Sequence, residues 1–397
     1  MTLVETSDLA APAVHTKITP LRVLGTSVTQ VPAVREAAEA DLGIALEFIT
    51  LDGAAAQRRG ALEPLSFDVY DQWFHDLEMV WPTGSLQPIE ISRLRQWDEI
   101  NELPKTGRLG PEVHRAAGGN PSQHLYVQPD GRLGNTPTSY LSMIPTVHNA
   151  DGFAVLGDDN ITSWSAMLDP EHAGRVLLHA DPAIGAFDIL LALQAKGEMR
   201  AANIADLTLA EVDSMIDHLA RYHRNGQFST VWSDETEAIQ AVEQGGAMIG
   251  SLWWSGAIRL KALGVPIRMI SPDEGCRGWF GGIGLSTHLS GRATDAAYEF
   301  INWWLEGGPG EILSRNGAYL ANHSAVRAKL SPEEWDFWYG GKPARSAIRD
   351  ADGREVYAQG ECREGGSYAE RMGRVVVWNS VMTEHNYLLR RWEDLFR

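Results

Sequence analysis

Near its start the chain alternates strand, helix, strand, helix, strand, and this order limits the fold more than any other feature of the 397 residues. Residues 21–24, 45–50 and 68–70 are β-prone apolar runs, and 31–41 and 54–62 between them carry helical periodicity. Strands joined through helices lie parallel, so the class is α/β, with helices flanking a mostly parallel sheet. A second α/β region follows Pro145. It holds strands at 175–179, 247–252 and 267–270, and helices at 186–196 and 209–223. The chain is too long for one ordinary core, which points to two lobes. Residues 1–19 read as a disordered lead-in, 104–140 as Gly-, Pro- and Asn-rich loops, and 340–373 as an insertion or long loop. Residues 386–396 form a closing helix.

Charge narrows the partners. Thirty-four basic against 52 acidic residues give −18, which disfavours nucleic acid and anionic membranes. The balance suits a cationic ligand and equally a solubilising surface. Fourteen tryptophans are many, and Trp concentrates where cationic or flat ligands are held, although core filling accounts for most of them. No apolar run reaches the roughly 18 residues that span a bilayer. The opening "MTLVETSDLAAPAVHTK" lacks the charged start and apolar centre of a secretory signal. The chain therefore reads either as cytoplasmic or as a mature form whose signal was replaced by a start Met. Cys276 and Cys362 form no CxxC, so a zinc ribbon is excluded, while a disulfide and two free thiols both stay open.

Searches for catalytic motifs fail. There is no GxSxG, Walker GK[ST], HExxH or strand-following GxGxxG. Gly281-Gly282-Ile283-Gly284 follows Trp279 instead of opening a helix, and reads as a tight inter-lobe strand. Polar and aromatic residues instead gather at strand ends: Asp71, Gln72, Trp73 and His75; His179 and Asp181; Trp253 and Trp254; Trp279 and Phe280. In open α/β sheets the ligand crevice lies beyond the carboxyl ends of the strands, so these groups can share one cleft.

The order "FDVY…GSLQPIE", "SWSAMLDPEHAGRVLL", "GGAMIGSLWWSGAIRLKALGVPI", "SPDEG", "AAYEFINWWL…NGAYLANHSA" resembles the spermidine/putrescine-binding proteins, periplasmic solute receptors of ABC importers. The resemblance covers roughly residues 20–330, with "VVVWNSV" and the final helix. It implies a two-lobed periplasmic binding protein fold, each lobe a central sheet flanked by helices, joined by crossing hinge strands. Lobe 1 would comprise 20–147 and 281–325, and lobe 2 148–280 and 326–397, with passes near 147, 280 and 325. It further implies a monomeric periplasmic receptor, without cofactor or catalysis, that hands a small solute to an inner-membrane permease. The implied ligand-binding residues are Ser27, Asp71, Trp73, His75, Asp181, Trp253, Trp279 and Asn379.

The sequence departs from that family where polyamine receptors carry further acids: Ile184 and Gly281 occupy two such positions. Each buried ammonium needs a paired charge or several acceptors. One carboxylate in an aromatic box suits a singly cationic or quaternary amine, or an amino-acid derivative, better than a long polyamine, unless Asp71 or Asp151 substitutes. Asp181 is also placed to cap the helix that follows it. The alternative reading is a cytoplasmic two-lobed α/β enzyme using Asp71, His75 and Asp181 as acid–base groups.

Overall fold

The computed structural model describes residues 20–113, 116–157 and 160–396, so the lead-in read at 1–19 lies outside the described residues. Leu21–Gly25 pairs in parallel with Leu46–Thr50 on one side and Val69–Trp73 on the other. The helices between them start and stop where the chemistry dictates. Pro32–Leu42 has proline in its first turn and ends at Gly43 with φ 63°. Gly53–Leu62 is capped by Asp52, whose carboxylate accepts the Ala55 N–H at 2.8 Å.

The sheet continues through Cys276–Ser286, which runs antiparallel to both Val69–Trp73 and Ile144–Asp151, and reaches nine strands in all. A second sheet has five strands, in the order Phe228–Trp232, Val176–His179, Ile249–Gly250, Phe153–Leu156, Ile267–Ile270. Its core is closed by helix Pro182–Ala195, buried from Pro182 to Leu193 and apolar over that stretch except for Asp188.

The chain passes from the nine-stranded to the five-stranded sheet at Gly152, between Ile144–Asp151 and Phe153–Leu156. A Cβ at Gly152 would lie 2.0 Å from the Ile270 carbonyl oxygen, so only glycine fits this crossing. The return runs between Ile270 and Cys276. The two passes lie side by side, because Asp151 is in register with Arg277.

Several elements differ from the sequence reading. The strand read at 68–70 runs on as Val69–Trp73, so Asp71, Gln72 and Trp73 lie within it. The strand read at 247–252 shrinks to Ile249–Gly250. The loops of 104–140 contribute short strands to a small four-stranded sheet. The segment 340–373 contains a hairpin, Ile348–Arg349 with Glu355–Tyr357, and helix Tyr368–Gly373 with a capping box.

Trp338, Tyr357 and Met372 share the core of the nine-stranded sheet, and only from Val377, through Met382 to Trp392, does the chain join the core of the second. The buried Arg363 lies between the two sides, since Tyr319 and Trp338 belong to the core of the first sheet and Trp254 to that of the second. Its guanidinium lies 4.5 Å from the Tyr319 ring and 4.4 Å from Trp254, and donates to the Trp338 carbonyl at 2.9 Å. Cys276 is buried, Cys362 exposed, and both are free thiols. No described helix is long and apolar enough to cross a membrane.

Candidate functional site

Three tryptophans from three elements meet between the sheets. Trp73 ends the strand Val69–Trp73 and is in register with Gly281, two residues along from Trp279 on the neighbouring strand. The two rings therefore share a face and meet edge to face, centroids 5.1 Å apart at 76°. Trp253, which precedes helix Trp254–Ala262 on the other side, approaches Trp73 at 6.2 Å and 62°. Behind it, Trp232 and His179 pack on Trp253 at 5.0 and 5.4 Å. The Trp279 indole N–H donates to Asp151 Oδ2 at 2.6 Å.

With Val28, Ile184, Arg277 and Asn379, the three tryptophans enclose a cavity of about 10 Å³, room for about one water. A larger solute enters only if the two sides part. Among the described residues the lining holds no serine, cysteine or histidine.

Arg277 is the charged lining residue the sequence reading missed. It is buried, donating through Nε to Asp188 Oδ1 at 2.9 Å and through Nη1 to Asn379 Oδ1 at 3.0 Å. Burial works against its charge, but Asp188 and Asp151 more than offset this and hold its pKa above the ordinary value. A signal was available: Arg277 lies two residues before Trp279 on an extended strand, which puts both side chains on one face. Asn379, expected from the resemblance, reaches the cavity by bonding this guanidinium.

Asp181 is half-buried and caps helix Pro182–Ala195, accepting the Ala183 N–H at 2.8 Å. Its own N–H donates to His179 Nδ1 at 3.1 Å, which fixes that imidazole as the acceptor. The carboxylate faces the opposite side of the cleft: a Cβ on Gly53 would lie 3.9 Å from Asp181 Oδ2 and 3.3 Å from Trp73 Nε1. Burial raises its pKa; the Ala183 N–H opposes this, the Asp52 charge adds to it, and Arg277 opposes it. Asp76 lies close enough to feel Asp181. Burial first, then that charge, push its pKa well up, while Gln57 donates to its Oδ1 at 3.0 Å.

The other expected residues are placed differently. Asp71 accepts a hydrogen bond from Thr29 Oγ1 at 2.7 Å, and burial pushes its pKa up to about 7. His75 is buried with Nε2 3.6 Å from Asp76 Oδ1. Burial, with the charges of His385 and Arg277, takes its pKa down to about 3. None of Asp71, His75 and Asp181 lines the tryptophan cavity, and each has its own surroundings. Ser27 is exposed and borders a separate groove, while its neighbour Val28 turns into the cavity. Both departures from the family also have places. Ile184 lines the cavity, and Gly281 packs against Val147, 2.9 Å from where its Cβ would lie.

Two sheets joined by adjacent strands beneath an aromatic cleft define the class: this is the two-lobed fold of periplasmic binding proteins. Residues 126–309 match the family model described as bacterial extracellular solute-binding protein. No curated protein matches the chain in sequence. Among solved structures, a putative spermidine/putrescine ABC transporter from Listeria monocytogenes matches with a TM-score of 0.64 at 15% identity, covering 95% of this chain and 99% of its own. The Tp0655 (TpPotD) lipoprotein of Treponema pallidum matches at 0.65 and 12%, covering 96% and 100%. The binding protein MotA from A. tumefaciens B6, in complex with glucopine, matches at 0.60 and 15%, covering 95% and 99%. The resemblance read from the sequence to the spermidine/putrescine-binding proteins thus holds in the fold, and the family match gives the broader class of extracellular solute-binding proteins.

Proposed function

We propose that the protein is the extracytoplasmic receptor of an ABC importer, and that it captures a small organic cation between its lobes. The observation that carries this reading is the meeting of Trp73, Trp253 and Trp279 beside the raised-pKa carboxyl of Asp181. Each aromatic face contributes about 0.5–2 kcal/mol to a desolvated cation, and Asp181 supplies the opposite charge. The lobes hinge where the chain passes at Gly152 and again between Ile270 and Cys276. Closure brings Trp73 and Trp279 of one lobe against Trp253 and Asp181 of the other. Ligand shifts the population toward the closed form that the permease reads. The fold is shared with spermidine/putrescine ABC transporter proteins and also with a fructose-6-phosphate-bound periplasmic binding protein, so the tryptophans and Asp181 carry the assignment of an organic cation. Titration calorimetry against a panel of amines, betaines and amino-acid derivatives tests the reading. Saturable binding of at least one supports it. Binding of none, or turnover of any, overturns it.

A further inference from the structure

The cleft's cation sits awkwardly with a purely cationic ligand. Arg277 borders the same cavity as the three tryptophans, and its charge is not neutralised by proton loss, since guanidinium stays protonated. Nε and Nη1 are committed to Asp188 and Asn379, and among the described residues nothing accepts a hydrogen bond from Nη2. Asp188 is itself anchored, taking the Ser251 hydroxyl on its other oxygen, so the guanidinium is held in one orientation. A second buried acid, Asp151, takes the Trp279 indole N–H on Oδ2, while its Oδ1 has no hydrogen-bond partner among the described residues. A diamine in this cavity would bring a second cation toward a fixed guanidinium. A ligand carrying one cation and one carboxylate would satisfy both ends.

Resting on the function proposed above, we infer that Arg277 is a specificity residue and that the ligand is a zwitterion, an amino acid or N-substituted amino acid. Its carboxylate meets the Arg277 guanidinium, while its cationic nitrogen lies against the tryptophans and Asp181. Guanidinium suits this task because its planar fork matches carboxylate geometry and because it is more weakly hydrated than an ammonium. Asp188 and Asn379 act as positioning residues, holding the fork's orientation.

Calorimetry with pairs that differ only by the carboxylate tests the inference on the intact chain: arginine against agmatine, lysine against cadaverine, glycine betaine against tetramethylammonium. In at least one pair the carboxylated member is expected to bind roughly thirtyfold tighter or more, as for a desolvated charge pair. Arg277→Lys keeps the charge beside Asp188 but loses the fork, and should shrink that ratio toward roughly equal affinity. A Lys variant that does not fold leaves the ligand comparison standing alone. Amines that bind as well as or better than their carboxylated partners overturn the zwitterion and leave the receptor reading intact. Silence from all six compounds overturns both.

Discussion

Trp279 and Asp151 are locked together by an indole-to-carboxylate hydrogen bond of 2.6 Å, at the place where the two crossing strands pair. The bond fixes the ring that Trp73 packs against and engages Oδ2 of Asp151, while Oδ1 has no hydrogen-bond partner among the described residues. The carboxylate pays for its burial with this bond and with the nearby charges of Arg277 and Arg371, although burial still leaves its pKa raised.

Removing that support should cost stability in proportion to what is left unpaired. Asp151→Asn keeps an acceptor for the indole and should stay within about 1 kcal/mol of the parent. Asp151→Ala strands a buried N–H and should cost about 1–3 kcal/mol. Urea unfolding midpoints check the ranking, and an alanine variant as stable as the parent would show that the bond is incidental.

The parts legible in sequence were those encoded locally. The β-α-β-α-β order gave the first sheet, and strand-end tryptophans gave Trp73, Trp253 and Trp279. The capping position of Asp181 could be read from the Pro182 that follows it. What stayed hidden depends on pairing across distance. Asp71 looked like a group beyond a strand end because "FDVY" seems complete in itself. It lies inside the strand because Ile283, more than two hundred residues later, pairs with it. Arg277 in "DEGCRGW" shares a strand face with Trp279, but its burial shows only once helix Pro182–Ala195 brings Asp188 against it. Ser27 was expected in the cleft, but the turn after the first strand sends Val28 inward and uses Thr29 to hold Asp71.

Asp71 makes stability depend on pH in a definite direction. Its pKa rises from 3.8 to about 7 in the fold, mainly through burial, so the folded state holds a proton that the unfolded state releases. This group's contribution is greatest below about pH 4, falls as pH rises toward about 7, and is flat above. Asp71→Asn removes the charging cost, so its stability relative to the parent should grow across that window by on the order of 2–4 kcal/mol. His75 and His179, each lowered to about 3 chiefly by burial, push the opposite way, losing stability as pH falls below about 6.5. Both proteins share them, so the difference between variant and parent isolates Asp71. Thermal or urea denaturation at pH 4.5 and pH 8 reads it, and a difference that does not change with pH defeats the claim.

Gly282 tests how closely the crossing strand is packed. A Cβ there would lie 2.4 Å from Phe74 Cε2 and 2.8 Å from the Ile144 carbonyl oxygen, on opposite neighbours. The ring can yield, but the backbone oxygen belongs to a paired strand and cannot do so without breaking register. Gly282→Ala should therefore destabilise by about 1–3 kcal/mol. At Gly246 the nearest atom to a Cβ is 3.4 Å away, so Gly246→Ala is the control and should be near neutral. Equal effects in the two variants would mean that the strand tolerates side chains at this position.

The Asp181 charge gives the most direct test of the cation assignment. Asp181→Asn preserves the helix cap, because asparagine caps as well as aspartate and can still accept the Ala183 N–H. The fold should survive with an unchanged denaturation midpoint. Ligand affinity should fall by roughly thirtyfold to several thousandfold, the range expected for a charge pair that loses one partner out of water, about 2–5 kcal/mol. Trp253→Ala should cost less, about 1–3 kcal/mol, because Trp73 and Trp279 still offer their faces while one stacking contact is lost. Calorimetry on parent and variants with one bound amine or amino acid sets the order. If Asp181→Asn binds like the parent while Trp253→Ala does not bind, the ligand is held by stacking alone, and the positive charge assigned to it has to be given up.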